Sequence, residues 1–317
     1  MQKIAFFINP KIRNFRSIEI ELQHHFIDLD YQFFISEYHG HLLTLPQKAI
    51  SEGFNYLIAV GGDGTLNEMI NGVINSFKTE NSYDWQKISE IKIGVYPAGS
   101  GNDFARNIED SSLKNLKQNI INHHSEMVDV GFARFFDEKE ESTERFFINI
   151  TDVGIGGEVV IMKERMPRYF SPKFNYMASI LYVMATFKKN KVRITTDKTL
   201  YQGKILNFVI ANGKYLGNAI GIAPQAVIDD GQFSITNIGN VSLLDYFLNI
   251  GTAKKCLKIK HPQVSYSEAK KVFIESADHR KMTIDMDGEF VGFAPIELEC
   301  LEKKISFFIL IYSFIEN

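Results

Sequence analysis

The chain has 317 residues, of which 45% are hydrophobic, and a formal net charge of −3 at pH 7. Because one hydrophobic core seldom organises so long a chain, two domains are expected, and the scattered lysines and arginines give no reason to expect a nucleic-acid partner. Cys256 and Cys300 are far apart and form no metal or redox motif, which favours reduced thiols in a cytoplasmic protein. No uncharged apolar run reaches about eighteen residues, so an integral membrane protein is not expected.

Strand and helix patterns alternate through the first part of the chain. The apolar N-terminus predicts a first strand that ends at Asn9-Pro10. After it we predict a helix over residues 16–29, a strand over 31–36, a helix over 43–51, a strand over 56–60, a strand over 91–96 and a helix over 111–122. Residues 78–90 are polar and are predicted to form a surface loop. The alternation predicts a doubly wound, Rossmann-like parallel sheet.

A glycine-rich turn follows the strand over residues 56–60, and an amphipathic helix is predicted to begin near Thr65. The turn and the first residues of the helix read Gly61-Gly62-Asp63-Gly64-Thr65-Leu66-Asn67. Backbone without Cβ atoms can approach a phosphate closely, and the first N–H groups of a helix favour an anion. A carboxylate beside phosphates requires a cation between them, so Asp63 predicts Mg²⁺. The alternative is a plain glycine turn in which Asp63 caps the helix.

A second turn of this kind follows the strand over residues 91–96 and precedes another predicted helix. It reads Gly99-Ser100-Gly101-Asn102-Asp103-Phe104-Ala105-Arg106. Two such turns are expected side by side at the carboxyl edge of a parallel sheet, where open α/β folds bind ligands. Together the two segments resemble the diacylglycerol kinase catalytic domain family, which includes bacterial lipid kinases and is related to sphingosine and ceramide kinases. NAD kinases have a turn similar to the first, whereas the second is typical of the lipid kinases.

The resemblance implies an NAD-kinase-like nucleotide domain that binds ATP and Mg²⁺. The nucleotide-binding residues that it implies are Asn9, Ser36, Gly61, Gly62, Asp63, Gly64, Thr65, Asn67, Gly99, Ser100, Asn102, Asp103 and Arg106. The Ser-Gly that follows Asn-Pro in the family is missing here, which weakens the case for a backbone contact to phosphate. Either Lys11 or Arg13 supplies positive charge for the phosphate instead, or both are ordinary surface residues. Arg106 is expected to bind phosphate or to pair with Asp129, which matches a position in the family's supporting network.

The second part of the chain consists of short β-type runs. They lie at residues 126–135, 145–151, 191–196, 204–211, 232–237, 271–275, 281–285 and 296–301. Many short strands predict an antiparallel β-sandwich, with the acidic residues 137–144 as a hairpin loop. The apolar residues 305–315 are too few to span a bilayer and predict a buried strand. We expect a nucleotide domain at 1–125 with a strand at 300–317 returning to it, and a lipid-substrate β-sandwich at 126–299.

Catalytic residues are implied by the late segment that ends in Asp287-Gly288-Glu289, which resembles the family's Asp-Gly-Glu. In bacterial members this glutamate accepts the proton of the substrate hydroxyl, across the cleft from the nucleotide turn. The resemblance assigns that role to Glu289, with Asp287 as its support or as a partner in a metal network and Asp63 on the phosphate side. The alternative is a tight hairpin turn, which Asp-Gly favours in any protein.

The turn over residues 224–233 resembles one that holds a structural Mg²⁺ in Gram-positive diacylglycerol kinases. The ligands that the resemblance implies are the side chain of Asp230 and the carbonyls of Val227 and Gln232. A plain Asp-Asp-Gly turn is the alternative.

Residues 162–174 are basic and aromatic together, and a helix predicted over 176–187 is followed by Lys188, Lys189 and Lys191. This mixture is typical of a surface that meets anionic headgroups, although a helix packed on the β-domain is an equal alternative.

Taken together, the motifs that resemble the family imply an ATP-dependent lipid kinase of phospholipid metabolism, acting on an alcohol such as diacylglycerol at the membrane surface. The sequence leaves open whether the protein is a monomer or a homodimer. The alternatives are an NAD kinase-like phosphotransferase and a catalytically silent lipid- or nucleotide-binding protein.

Overall fold

The computed structural model describes residues 2–80, 82–166 and 172–309. It divides into two compact units: Met1–Asp129 with Glu302–Asn317 form unit 1, and Val130–Leu301 form unit 2. The sequence placed these divisions at 125/126 and 299/300, a few residues away. None of the helices among the described residues is both long enough and apolar enough to cross a membrane.

Unit 1 is an α/β domain with a parallel sheet. Its elements are β1 (Lys3–Ile8), α1 (Phe15–Phe26), β2 (Asp30–Ile35), a 3₁₀ turn (His41–Leu43), α2 (Leu45–Ser51), β3 (Tyr56–Gly61), α3 (Asp63–Ser76), α4 (Trp85–Glu90), β4 (Lys92–Pro97), a second 3₁₀ turn (Phe104–Asn107) and α5 (Leu113–Ile121). The strand order is β2-β1-β3-β4, and every neighbouring pair is parallel. The predicted fold class of this unit is therefore confirmed.

The central strands β1 and β3 of unit 1 are buried along almost their whole length because both faces of the sheet are covered there, whereas the edge strand β2 is only partly buried. Phe6 of β1 and Ile58 of β3 pack with Leu22 and Phe26 of α1 and with Leu116 of α5. On the helix after β3, Met69, Ile70 and Val73 are buried at the spacing that the sequence predicts. The covered sheet holds the carboxyl ends of its strands at a fixed edge.

Two predictions for unit 1 are wrong. Residues 78–90 are not a loop throughout, because α4 spans Trp85–Glu90, is capped by the Asp84 carboxylate and buries Ile88. The second glycine turn leads into the short 3₁₀ turn and not into an α-helix. In both places a short polar segment gives too little periodicity to set the element type.

Unit 2 is built mainly of antiparallel strands. In chain order its elements are β5 (Glu126–Phe136, which begins in unit 1), β6 (Ser142–Phe147), β7 (Ile150–Gly154), α6 (Ile155–Arg165), α7 (Pro172–Thr186), β8 (Asn190–Thr196), β9 (Leu200–Ile205), β10 (Asn207–Ala211), β11 (Tyr215–Leu216), β12 (Ile220–Gly221), β13 (Phe233–Ile238), α8 (Leu243–Lys254), β14 (Val264–Ala269), β15 (Lys271–Ser276), β16 (Thr283–Met286) and β17 (Glu289–Phe307, which ends in unit 1). The main strand order is β14-β13-β10-β7-β16-β17.

The pairings in unit 2 confirm the predicted sandwich class. Neighbours in the main order are antiparallel, β9-β8-β15 joins at β17, and β5 with β6 forms a hairpin around the acidic loop. The interior includes Phe147, Phe208, Phe233, Ile284 and Leu298. Inward apolar residues alternate along β8 and β15, as a half-buried strand requires.

Several boundaries in unit 2 differ from the sequence prediction. The predicted strand over 145–151 is two strands, β6 and β7, and that over 204–211 is β9 and β10. Helices α6 and α8 and strand β14 were not predicted. The runs at 296–301 and 305–315 belong in part to one strand, β17, which runs through Phe307; residues 310–315 lie outside the described residues, as do 167–171 of the basic and aromatic segment.

Candidate functional site

The two glycine turns of unit 1 pack directly against each other. A Cβ atom on Gly99 would lie 2.3 Å from the Cα of Gly62, and one on Gly61 would lie 2.3 Å from Oγ1 of Thr65. Neither distance leaves room for a side chain. Glycine is therefore required at these positions by the contact between the turns and by the start of α3.

Asp63 joins the two turns through its carboxylate. Its Oδ2 accepts the backbone N–H of Asp103 at 3.0 Å, and its Oδ1 accepts that of Phe104 at 2.9 Å. The N-cap of α3 is Gly62, and Asp63 is the first residue of the helix. The carboxylate is thus engaged with the second turn, which differs from the simple helix-cap interpretation.

The second turn is closed by the side chain of Asn102. Its Oδ1 accepts the Gly99 N–H at 2.9 Å, and its Nδ2 donates to the Gly99 carbonyl at 3.0 Å. The residue has φ of 54°, a left-handed conformation that asparagine tolerates better than most residues. Ser100, at the tip, is exposed. Asn102 consequently shapes the loop from within.

The other predicted nucleotide residues lie at the carboxyl ends of the same parallel strands or on α3. Asn9 follows β1 and accepts the Lys11 N–H at 3.0 Å, and Ser36 follows β2, is buried and donates its N–H to the Ile8 carbonyl at 2.9 Å. Gly64 lies in the first turn of α3. Asn67 is buried in α3, where Asn71 Nδ2 donates to it at 3.2 Å. Unit 1 thus brings the predicted residues to one edge of its sheet, except that Asn67 lies within a packed helix.

The charged residues near the second turn make two separate contacts, one between Arg106 and Asp103 and one between Asp129 and Lys303. Nε of Arg106 lies 3.7 Å from Oδ1 of Asp103, which is buried, whereas Arg106 is partly exposed. Asp129 is fully buried and accepts the backbone N–H of Lys303 at 2.7 Å. Asp129 therefore holds the end of β17 that returns to unit 1.

Glu289, the predicted base, begins β17 in unit 2. Its Oε2 pairs with Nη2 of Arg145 on β6 at 2.6 Å, and its side chain is one-third exposed. The other carboxylate oxygen, Oε1, takes no part in this bond. An arginine in this position holds a carboxylate in one orientation while leaving one oxygen free for a substrate group.

Asp287 is buried beside the break between β6 and β7. Its carboxylate accepts the N–H groups of Ile148, Asn149 and Ile150 at 3.2, 3.1 and 2.9 Å. Its φ of 50° turns the chain into the following Gly288. Asp287 supports the turn that carries Glu289, and it explains why the predicted strand over 145–151 is interrupted, since these N–H groups bind a side chain.

A second carboxylate pair in unit 2 was not predicted. Asp152 of β7 and Asp285 of β16 are directly opposite in the antiparallel register, so their side chains share one face. Burial raises the pKa of Asp152 to about 7. Burial and then the charge of Asp152 raise the pKa of Asp285 well above its ordinary value. No local sequence signal marks this pair, because only strand register brings the two residues together.

The Asp230 turn has the donors expected for a cation but little else to define the site. Oδ1 of Asp230 accepts the Gln232 N–H at 3.1 Å, and burial and the charges of Glu268 and Asp229 raise the pKa of Asp230. Val227 is exposed. Across residues 2–80, 82–166 and 172–309, no three His, Cys, Asp or Glu side chains group closely enough to hold a metal ion. The Mg²⁺ assignment here stays a prediction.

The predicted membrane segment is partly a structural element of unit 2. Ile180 and Val183 of α7 are buried, whereas Phe174 and Tyr182 are exposed. Lys189 donates to Asn240 Oδ1 at 2.5 Å. One side of α7 therefore packs on unit 2, and the predicted membrane contact of this segment stays a prediction.

The comparisons with known proteins agree with this arrangement. Residues 3–133 match the model of the diacylglycerol kinase catalytic domain, and residues 150–309 match the model of the YegS C-terminal NAD kinase beta sandwich-like domain. The diacylglycerol kinase of Staphylococcus carnosus is 30% identical over 260 residues, or 82% of this chain and 78% of that protein. The diacylglycerol kinase of Staphylococcus epidermidis is 28% identical over 266 residues, or 83% and 76%.

Solved structures give the same result for the fold. A crystal structure of a diacylglycerol kinase from Bacillus anthracis has a TM-score of 0.67 at 20% identity and covers 98% of this chain and 97% of that one. The two matched domain models, in this order along the chain, and the relatives named kinases identify a class of kinases. Within that class, the chain belongs to the diacylglycerol kinase family.

Proposed function

We propose that this protein transfers the γ-phosphate of ATP to the hydroxyl of a membrane lipid such as diacylglycerol. The observation that carries the proposal is the pair of glycine turns joined by Asp63 at the carboxyl edge of the unit 1 sheet. Family membership supports lipid phosphorylation, and the relatives named diacylglycerol kinases suggest the acceptor.

The nucleotide phosphates would bind where the first turn meets α3. Backbone N–H groups at the start of a helix favour an anion, and Gly62 and Gly99 let the second turn lie close beside that helix start. Arg106 is partly exposed beside the second turn and supplies positive charge. These residues would bind and orient the nucleotide.

Asp63 fits a role beside Mg²⁺ as well as its role between the turns. Each carboxylate oxygen accepts one backbone N–H, and an ionised carboxylate offers about four acceptor sites in all, so capacity remains for a cation or its water. When bound, Mg²⁺ would neutralise negative charge on the phosphates. Asp230, with the Val227 and Gln232 carbonyls, would hold a separate structural ion in unit 2.

Glu289 would accept the proton of the lipid hydroxyl through Oε1, the oxygen that is not bonded to Arg145. Arg145 would keep the carboxylate oriented, and Asp287 would hold the turn in which it lies. The protein would act as a peripheral membrane enzyme of the cytoplasm, since its acceptor is a bilayer lipid.

The proposal is tested by incubating the protein with labelled ATP and a panel of acceptors, followed by separation of the labelled products. The panel should contain diacylglycerol, ceramide, sphingosine and NAD, each with and without Mg²⁺. Label in a lipid is the expected result. Label in NAD would favour an NAD kinase-like activity, and ATP or lipid binding without any labelled product would favour a silent binding protein.

A further inference from the structure

Helix α8 carries its apolar residues on the side that faces solvent. Leu243, Leu244, Phe247 and Leu248 are 36%, 65%, 52% and 70% exposed. At about 100° per residue they fall within one arc of about 140°. Gly251 lies within the same arc, and a Cβ atom there would meet nothing within 4 Å. An ordinary surface helix carries polar residues on this face.

The exposure of this face does not come from a loosely held helix. Ser242 and Asp245 form a capping box at its start, and His261 pairs with Asp245 at 3.5 Å. On the inner side, Tyr246 packs on a buried cluster of unit 2 and its hydroxyl lies 3.9 Å from Sδ of Met177. The helix is therefore fixed with its apolar face outward.

A cluster of lysines follows this face along the chain. All of its members are exposed: Lys254, Lys255, Lys258 and Lys260. Leu257, between them, is 55% exposed. Residues 246–267 contain no Asp or Glu, although the whole chain has a net charge of −3. Apolar area and positive charge thus lie together on a protein that is otherwise slightly negative.

We propose that the outward face of α8 and the lysines of residues 254–260, together called the α8 surface, dock this protein on an anionic lipid bilayer. The leucines and Phe247 enter the interface between headgroups and acyl chains, and the lysines contact headgroup phosphates. A twofold dimer through the same patch would bring two lysine clusters towards each other. Charge therefore favours a bilayer over a second copy of the chain.

The α8 surface lies further along the chain than the segment that the sequence predicts for membrane contact. The sequence indicated residues 162–191, and the neighbouring helix α7 does expose Phe174 and Tyr182. However, Lys189 is bonded to Asn240, whereas the four lysines at and just after the end of α8 lie in a segment without acidic residues. The inference that the α8 surface docks on a bilayer rests on exposed apolar and basic side chains. Only the further step, that docking brings the enzyme to a lipid acceptor, rests on the proposed function.

The test measures co-flotation of the full chain, without ATP, with vesicles of equal phosphatidylglycerol and phosphatidylethanolamine or of phosphatidylcholine alone. The apolar variant carries Leu244→Ser, Phe247→Ser and Leu248→Ser. Its matched control replaces equally exposed residues elsewhere, Ile20→Ser, Ile27→Ser and Leu200→Ser. The basic variant changes Lys254, Lys255, Lys258 and Lys260 to Gln, and its control changes the exposed Lys48, Lys114, Lys139 and Lys204 to Gln.

We expect the apolar variant to bind anionic vesicles at least about tenfold more weakly, because three apolar side chains no longer enter the interface between headgroups and acyl chains. The basic variant should lose about a hundredfold at low salt, with a smaller loss at high salt. Both controls should bind as the wild type does. Circular dichroism should show the same fold in every variant, because all the changed residues are exposed.

Wild-type binding by both test variants would overturn the proposal, as would equal losses in test and control variants. Light scattering of the wild type and the apolar variant adds a second test: a dimer that becomes a monomer in the variant would make α8 an interface between copies and contradict membrane docking. Phosphorylation of a short-chain, water-soluble diacylglycerol separates the two proposals. If the wild type phosphorylates this acceptor but both α8 variants bind vesicles as the wild type does, only the α8 surface is wrong. If the α8 variants lose vesicle binding as expected but the wild type labels no acceptor, only the proposed function is wrong.

Discussion

Arg145 holds Glu289 through one carboxylate oxygen, Oε2, and this orientation suits a proton acceptor. Glu289→Gln preserves the size of the side chain and removes its basicity, so we expect turnover to fall about 10²–10⁴-fold with little change in ATP affinity. Turnover and ATP binding should be measured together, by product formation and calorimetry. The control is Glu297→Gln, an exposed glutamate on the same strand. A proportional loss of ATP binding would place Glu289 in the nucleotide site or the fold.

Asp152 makes the stability of the protein depend on pH. Burial raises its folded pKa from 3.8 to about 7, so the folded state keeps its proton while the unfolded state loses it as pH rises from about 4 to 7. Stability from this group is therefore full below about pH 4 and is lost by about pH 7. Asp152→Asn removes the titration, and the variant should gain about 2–4 kcal/mol relative to wild type between pH 4 and pH 8.

Denaturant unfolding at several pH values checks the Asp152 prediction. Asp278→Asn is the control, because Arg280 lowers the pKa of Asp278 to about 2 and that group stays charged throughout the range. Its difference from wild type should be constant between pH 5 and pH 8. A constant difference for Asp152→Asn as well would mean that Asp152 is not protonated in the fold.

At the level of elements, Asp63 connects the helix after β3 with the turn after β4. From the sequence, its charge serves only the metal, but its two hydrogen bonds give it a structural role too. In Asp63→Asn the amide nitrogen would face a backbone N–H, so we expect a loss of about 1–3 kcal/mol in stability and weaker ATP binding.

Calorimetry of ATP binding with and without Mg²⁺ separates the two roles of Asp63. A loss of affinity that is equal in both conditions indicates the turn alone, and a larger loss with Mg²⁺ indicates contact with the ion. Asp30→Asn, an exposed residue at the start of β2, is the control. Wild-type stability and ATP affinity in Asp63→Asn would show that neither hydrogen bond matters.

For the whole molecule, the return of β17 completes unit 1. Ser306 and Phe307 pair with β4, and the buried Phe307 packs against Phe104 with ring centroids 5.2 Å apart. Phe307→Ala should cost about 3–5 kcal/mol and weaken ATP binding through Phe104, which follows the second turn. Thermal unfolding and ATP titration measure both effects. Phe273→Ala on β15, where the ring is exposed, should change neither by more than a small amount.

The sequence by itself determined the parallel sheet of unit 1, its two glycine turns and the sandwich class of unit 2. These features are local: buried strands are apolar runs, glycines mark close approaches, and alternating residues mark half-buried strands. Tertiary structure alone decided the hydrogen bonds of Asp63, the pairing of Glu289 with Arg145 and the facing of Asp152 with Asp285. It also decided that the apolar face of α8 points outward. A pattern along the chain states which residues share a face, but only the packing of distant segments determines what that face meets.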